Sequence, residues 1–164
     1  MSTEIFKTVQ EHTRAFGEKN DCAVKAVAIA TKTDYATVHA LFKKLGRKSR
    51  QGTYAFITLR ALKELGYDVK EIYMPHDARR LAESASTSET ADFVRRVISK
   101  YPKFYNAKKF TVNQLESFSE AWSHIENALV VVRGHVLAYQ DGLVHDWTKG
   151  KKNAIESIMI LSKR

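Results

Sequence analysis

The chain carries one cysteine, Cys22, in the run Asn20-Asp21-Cys22, ahead of Ala23-Val24-Lys25-Ala26-Val27-Ala28-Ile29-Ala30. Asp21 is a favoured N-cap residue type, and the alanine-rich, apolar run after it predicts a buried helix beginning at or next to Cys22. A thiol at a helix start sits at the positive end of the macrodipole, where the thiolate is favoured over the thiol. A nucleophilic sulfur also needs a base beside it and a third group to orient that base. Six histidines are available, and a hairpin pattern selects His135. Asp141-Gly142 is a strong two-residue turn signal between apolar runs. With those two residues at the turn, Gln140 faces Leu143, Leu137 faces Asp146 and His135 faces Thr148. Paired residues share a face, as do residues two apart on one strand, so His135 and Asp146 become diagonal neighbours on one face. A slip of one residue would undo the pairing.

From these types the expected chemistry is acyl transfer. Asp146 holds one ring nitrogen of His135, the other nitrogen takes the proton of Cys22, and the thiolate attacks a carbonyl. The backbone N–H of Cys22 and the side-chain amide of Asn20 are the candidate oxyanion-hole donors. Gly134 leaves room for a substrate backbone, and Trp147 is expected to shield the histidine–aspartate bond from water. The competing reading of Cys22 is a small buried hydrophobe, and of Asp21 a simple cap. His145, adjacent to Asp146, falls on the opposite face and makes a poor base. His39 lies beside the apolar face of its helix as a packed or part-exposed ring. His12, His76 and His124 have no carboxylate at a telling spacing. Phosphate-binding glycine loops are absent, one cysteine excludes an internal disulfide and a multi-cysteine zinc site, and no cofactor or metal is called for.

The elements that must position these groups read as helices first and sheet last. Helices are predicted over residues 4–15, from Cys22 onward, from a Thr33 or Asp34 cap through Tyr35, Val38, Phe42 and Leu45, and over 54–65. The first is expected to pack Ile5, Val9 and Phe16, and the fourth Phe56, Leu59, Leu62 and Leu65. A strand follows over Tyr67–Met74, closed by Pro75. Helices are predicted over 77–84 and 89–100, and near 112–121 after a Thr111 cap. Residues 128–132 read as a strand buried on both faces, Gly134–Tyr139 as its continuation or the next strand, Leu143–Trp147 as the antiparallel return, and Ile155–Leu161 as a last strand. The fold class is α+β, in a single domain spanning residues 1–164.

Composition narrows the partners. The chain has 164 residues and a formal net charge of +9, with 44% hydrophobic and 27% charged residues. That balance is globular, and the positive charge fits a polyanionic partner, either nucleic acid or an acidic protein face. Basic residues cluster at Lys43-Lys44 with Arg47-Lys48 and Arg50, at Lys108-Lys109, and at Lys149 with Lys151-Lys152. No aromatic stripe interleaves with them as a single-strand binding platform requires. No apolar run approaches the roughly 20 residues of a membrane span, so no membrane association is expected. The first residues lack the order of a secretory signal, and cytoplasmic residence is expected.

An early Asn-Asp-Cys at a helix start, followed late by Gly134-His-Val-Leu-Ala-Tyr-Gln-Asp-Gly-Leu-Val-His-Asp-Trp147, resembles the papain-like cysteine peptidase superfamily. The likeness is closest to the small bacteriocin-leader-peptidase-like (peptidase C39-like) domains of bacteriophage and bacterial proteins. It implies a helical N-terminal half packed on a C-terminal antiparallel sheet, with Cys22 as nucleophile, His135 as base, Asp146 as orienting residue, and a protein or peptide substrate. Those peptidases place a glutamine a few residues before the cysteine. Here none lies between Gln10 and Cys22, so Asn20 is the expected substitute, and Ala23 replaces the more familiar glycine or tryptophan. Three activities compete on this reading. The first is peptidase or isopeptidase hydrolysis. The second is a transglutaminase-like or deamidating transfer using the same triad. The third is a catalytically weak module that binds nucleic acid or an acidic protein through its basic surface.

Overall fold

A computed structural model describes residues 3–74, 77–106, 110–117, 119–122, 125–146 and 153–164. Thr3 opens the first helix, α1 (Glu4–Ala15), with its hydroxyl accepting from the Phe6 N–H at 3.2 Å. Next come α2 (Cys22–Thr31), α3 (Tyr35–Lys44) and α4 (Ala55–Glu64). Of the two candidate caps for α3, Asp34 takes the role, accepting from the Thr37 N–H at 3.3 Å. Strand β1 (Tyr67–Tyr73) precedes α5 (Ala78–Glu83), α6 (Glu89–Lys100) and α7 (Val112–Ser117). Strands β2 (Asn127–Val132), β3 (His135–Gln140), β4 (Leu143–His145) and β5 (Ile155–Lys163) end the chain.

The five strands form one antiparallel sheet in the order β1-β5-β2-β3-β4. An α+β architecture follows directly. The sheet is covered on both faces. Leu129, Ala138, Met159 and Leu161 pack with α1–α4, whereas Val130, Leu137, Tyr139 and Ile158 pack with Ala78 of α5, Phe93, Val94 and Val97 of α6, and Leu115 of α7. Alternate strand residues point to opposite faces, so the near-continuous apolar run of central β2 feeds both cores. Helices α5, α6 and α7 are thus a second helical layer on the face opposite the N-terminal helices.

Two helices bury a different face from the one expected. In α1 the inward residues are Phe6 and Thr13, with Val9 half-buried, while Ile5 and Phe16 are exposed. In α4, Ile57, Thr58, Ala61 and Leu62 are buried, and Phe56 and Leu59 face solvent. Ile57, Ala61 and Leu62 also share a helical stripe, and small Ala61 and Thr58 permit close approach to neighbouring elements where Phe56 would not fit.

The hairpins carry the predicted register. Gln140 pairs with Leu143, Tyr139 with Val144 and Ala138 with His145. Asp141 and Gly142 both have positive φ, 51° and 83°, as a type I′ turn requires. Arg133-Gly134 forms the tight turn between β2 and β3, so Gly134 to Tyr139 begins a new strand, with His135 paired to Val132. Gly134 has φ 69° and open space where a Cβ would stand.

Candidate active site at the tip of helix α2

Helix α2 lies along β3. Gln140 donates its amide to the Ile29 carbonyl at 3.5 Å, and Val136 and Ala138 face the core that α2 fills. This packing brings the first residue of the helix, Cys22, beside the first residue of the strand, His135. The thiol is hydrogen-bonded to the His135 ring and receives the backbone N–H groups of Val136 and Ala23. On the other side of the ring, His135 Nε2 lies 2.9 Å from Asp146 Oδ2. With Nε2 on the carboxylate, Nδ1 is the nitrogen left for sulfur. Asp146 is 3% exposed and the His135 side chain 24%. The structure therefore joins Cys22 to His135 and Asp146, which lie more than a hundred residues later in the sequence.

Electrostatics tune both members of the pair. Burial pushes the Cys22 thiol up, but the hydrogen bond from His135, the Val136 N–H, the charge on His135 and the Ala23 N–H outweigh it, leaving the thiol below its ordinary value. The Asp146 carboxylate raises His135 to about 9, helped by Cys22 and opposed by burial. Near neutral pH these directions favour a thiolate–imidazolium pair.

Asp21 departs from its expected role. Its side chain makes no capping bond at α2. The carboxylate, 2% exposed, turns inward and accepts from the Thr13 hydroxyl at 2.8 Å and the Tyr35 hydroxyl at 2.7 Å, with Lys25 Nζ at 3.6 Å. Two buried hydroxyls at the α1–α2–α3 junction need an acceptor, and this demand outweighs capping. The N–H groups of the first turn of α2 are therefore not taken up by the Asp21 side chain.

Asn20 reaches left-handed backbone, φ 55°, and its amide donates to the Arg50 carbonyl at 3.3 Å. One N–H of that amide is thus committed to the loop. Glu18, two residues earlier, anchors the same loop. It accepts from Arg47 at 2.9 Å and from the Arg50 N–H at 2.7 Å, with the His39 ring also on it. Burial opposes ionisation of Glu18, but Arg47, His39 and Arg50 hold its carboxyl down at about 2.

These groups line a cleft of about 480 Å³ that contains Cys22, His135, Asp146, Asn20 and Gly134. It also contains Gln10, Thr13, Lys19, Lys25 and Gly52, none of which the sequence pattern brought to the site. Gln10 is the most consequential. Lys25 Nζ donates to its Oε1 at 2.8 Å, which fixes the amide and leaves its two N–H groups available. The signal that would have found it is a polar residue on the inward face of α1, next to buried Thr13.

No family model, curated protein or solved structure matches this chain. The remaining histidines sort as follows. His145 is buried and bonded through Nδ1 to the Thr3 hydroxyl at 2.8 Å. His39 is half-buried on Glu18, and His12 is exposed against the Tyr35 ring. Trp147, Thr148, His76, His124, Pro75 and the lysines at 108–109, 149 and 151–152 lie outside the described residues. Among the described residues no helix is long and apolar enough to cross a membrane, and no cluster of three or more His, Cys, Asp or Glu side chains could hold a metal ion.

Proposed function

We propose that this chain is a cysteine-dependent acyl hydrolase of papain-like type, acting on an amide bond of a protein or peptide. The observation that carries the reading is the His135 ring held between the Cys22 thiol and the Asp146 carboxylate in an open cleft. The Cys22 thiolate attacks the carbonyl carbon. The carbonyl electron pair moves onto oxygen, which receives the Cys22 backbone N–H and the Gln10 amide. His135 Nδ1–H then protonates the departing amine as the C–N bond breaks, leaving a thioester. A water, giving its proton to His135, attacks the thioester, and the acid and the thiol are released. Asp146 keeps the ring oriented and charged throughout. The resemblance to papain-like, bacteriocin-leader-peptidase-like domains rests on the same three residues in the order Cys, His, Asp.

The test is cleavage of a proteome-derived peptide library, read by mass spectrometry, with Cys22→Ala as the blank. Wild-type protein is expected to generate new termini that the blank does not. New amide bonds to an added amine, or a gain of about one mass unit at glutamine, would assign transamidation or deamidation. An unreactive thiol together with no product would remove the enzymatic reading. Gln10→Ala should lower kcat by about a hundredfold, the usual cost of one oxyanion donor, with Asn20→Ala the milder change.

A further inference from the structure

The face that α4 turns to solvent is apolar where a surface helix is ordinarily polar. Tyr54 is 73% exposed, Phe56 57% and Leu59 37%. The Tyr54 and Phe56 rings stack on each other, with centroids 5.8 Å apart and planes within 15°. Arg60, one turn beyond Phe56 on the same face, is exposed, as are Lys48 and Arg50 in the preceding loop. None of these three cations forms an ion pair among the described residues.

The start of this face lies close to the cleft along the chain. Gly52 lines the cleft, and Tyr54 follows two residues later, a span of about 7 Å in extended chain. The loop that joins them is held against the nucleophile's own loop, by Asn20 on the Arg50 carbonyl and by Glu18 on the Arg50 N–H. The cleft carboxylates Glu18, Asp21 and Asp146 are each engaged by hydrogen-bonding partners within the protein. Lys19 also lines the cleft and has no acidic partner among the described residues. The field a bound chain meets, from the cleft outward, is therefore positive beside an aromatic shelf.

We propose that the Tyr54–Phe56 shelf, with Lys48, Arg50 and Arg60 around it, binds an acidic segment of the substrate polypeptide that also carries a large apolar side chain. The proposal rests on the peptidase reading of the cleft. The apolar side chain covers the stacked rings, and the flanking carboxylates meet the unpaired cations. Specificity arises here, a few residues from the scissile bond, because the cleft beside Gly134 is open and selects little.

The test separates the shelf from the chemistry. Fluorescein-labelled twelve-residue peptides are titrated onto the Cys22→Ala protein: one with alternating Glu and Leu, one with Lys in place of Glu, one with Ser in place of Leu, and a dT12 oligonucleotide of equal length. The Glu/Leu peptide should bind at least tenfold tighter than either other peptide. The double substitution Tyr54→Ser with Phe56→Ser, at positions too exposed to affect folding, should remove that tenfold, and Arg60→Glu should weaken it severalfold. The same double substitution in the Cys22-containing protein should leave the iodoacetamide labelling rate unchanged. Equal binding of the three peptides, or indifference to the double substitution, overturns the proposal. Binding of dT12 that depends on Tyr54 and Phe56 overturns it as well, assigning the shelf to single-stranded nucleic acid. If the Glu/Leu peptide binds the shelf while Cys22 labels like an ordinary thiol, the shelf stands and the hydrolase reading falls.

Discussion

Asp146→Asn tests the linkage on which the site depends. The substitution keeps the size of a buried side chain and an oxygen that can face His135 Nε2, but removes the charge. Raising the ring from its ordinary 6.5 to about 9 corresponds to about 3 kcal/mol of preference for the imidazolium, at roughly 1.4 kcal/mol per tenfold. Asp146 is the leading cause and Cys22 supplies part. The ring is partly exposed, so solvent screens some of the effect. About 2 kcal/mol remains for Asp146, a factor of about thirty in ring protonation. Losing the imidazolium removes the charge that lowers Cys22. Because the chain has one cysteine, the mass gained from iodoacetamide reports Cys22 alone. At pH 6.5 the wild type should label faster than free cysteine, and Asp146→Asn ten to thirty times slower than wild type. The gap should close by about pH 9.5, where a thiol ionises unaided. Superimposable pH profiles for the two proteins would refute the coupling, as would a wild-type profile that follows free cysteine throughout. A thermal melt of the variant separates an electrostatic loss from unfolding.

The remaining predictions read the same geometry by other measurements. Turnover should fall as pH rises through about 9, where His135 loses its proton, and the limb should move to lower pH in Asp146→Asn. The same group contributes stability that is fully present below its unfolded value of about 6.5 and is lost as pH rises through about 9, readable from urea midpoints across that range. Glu18 gives the opposite slope: its folded value of about 2 lies below the ordinary 4.5, so about 3 kcal/mol present above pH 4.5 should disappear as pH falls toward 2, and Glu18→Gln should flatten that acid limb. Asp21→Ala leaves the Tyr35 hydroxyl without its acceptor, the Thr13 hydroxyl with only the Val9 carbonyl at 3.3 Å and Lys25 without its carboxylate, and should cost about 3–5 kcal/mol in chemical denaturation. Asp21→Asn, which still accepts one bond, should cost less.

The parts of the site legible in the sequence were those governed by short-range rules. Helix α2 begins at Cys22 because an apolar, alanine-rich run starts there. The pairing of His135 with Asp146 follows from the Asp141-Gly142 turn, since a two-residue loop fixes every later partner on both strands. The parts that were not legible required knowing which side of an element faces another. Asp21 has the residue type of a cap, yet two hydroxyls from α1 and α3 compete for it, and neither is near it in sequence. Gln10 and Thr13 face inward on α1 while apolar Ile5 and Phe16 face out, the reverse of what amphipathic patterning predicts. Phe56 and Leu59 break the same rule on α4.

The polar inward residues of α1, Gln10 and Thr13, line the cleft, and Tyr54 follows two residues after Gly52, which also lines it. A sequence under selection for folding alone would place each of these on the other face, because burying an amide or exposing a phenyl ring lowers stability unless something offsets it. Thr13 is offset by Asp21, and Gln10 by Lys25. For Tyr54 and Phe56 the only compensation within the described residues is each other. Local rules therefore fail where the chain approaches Cys22, as expected when residues are held by a demand other than packing. For Gln10 and Thr13 that nearness to the thiol is a further reason to propose function at the tip of α2.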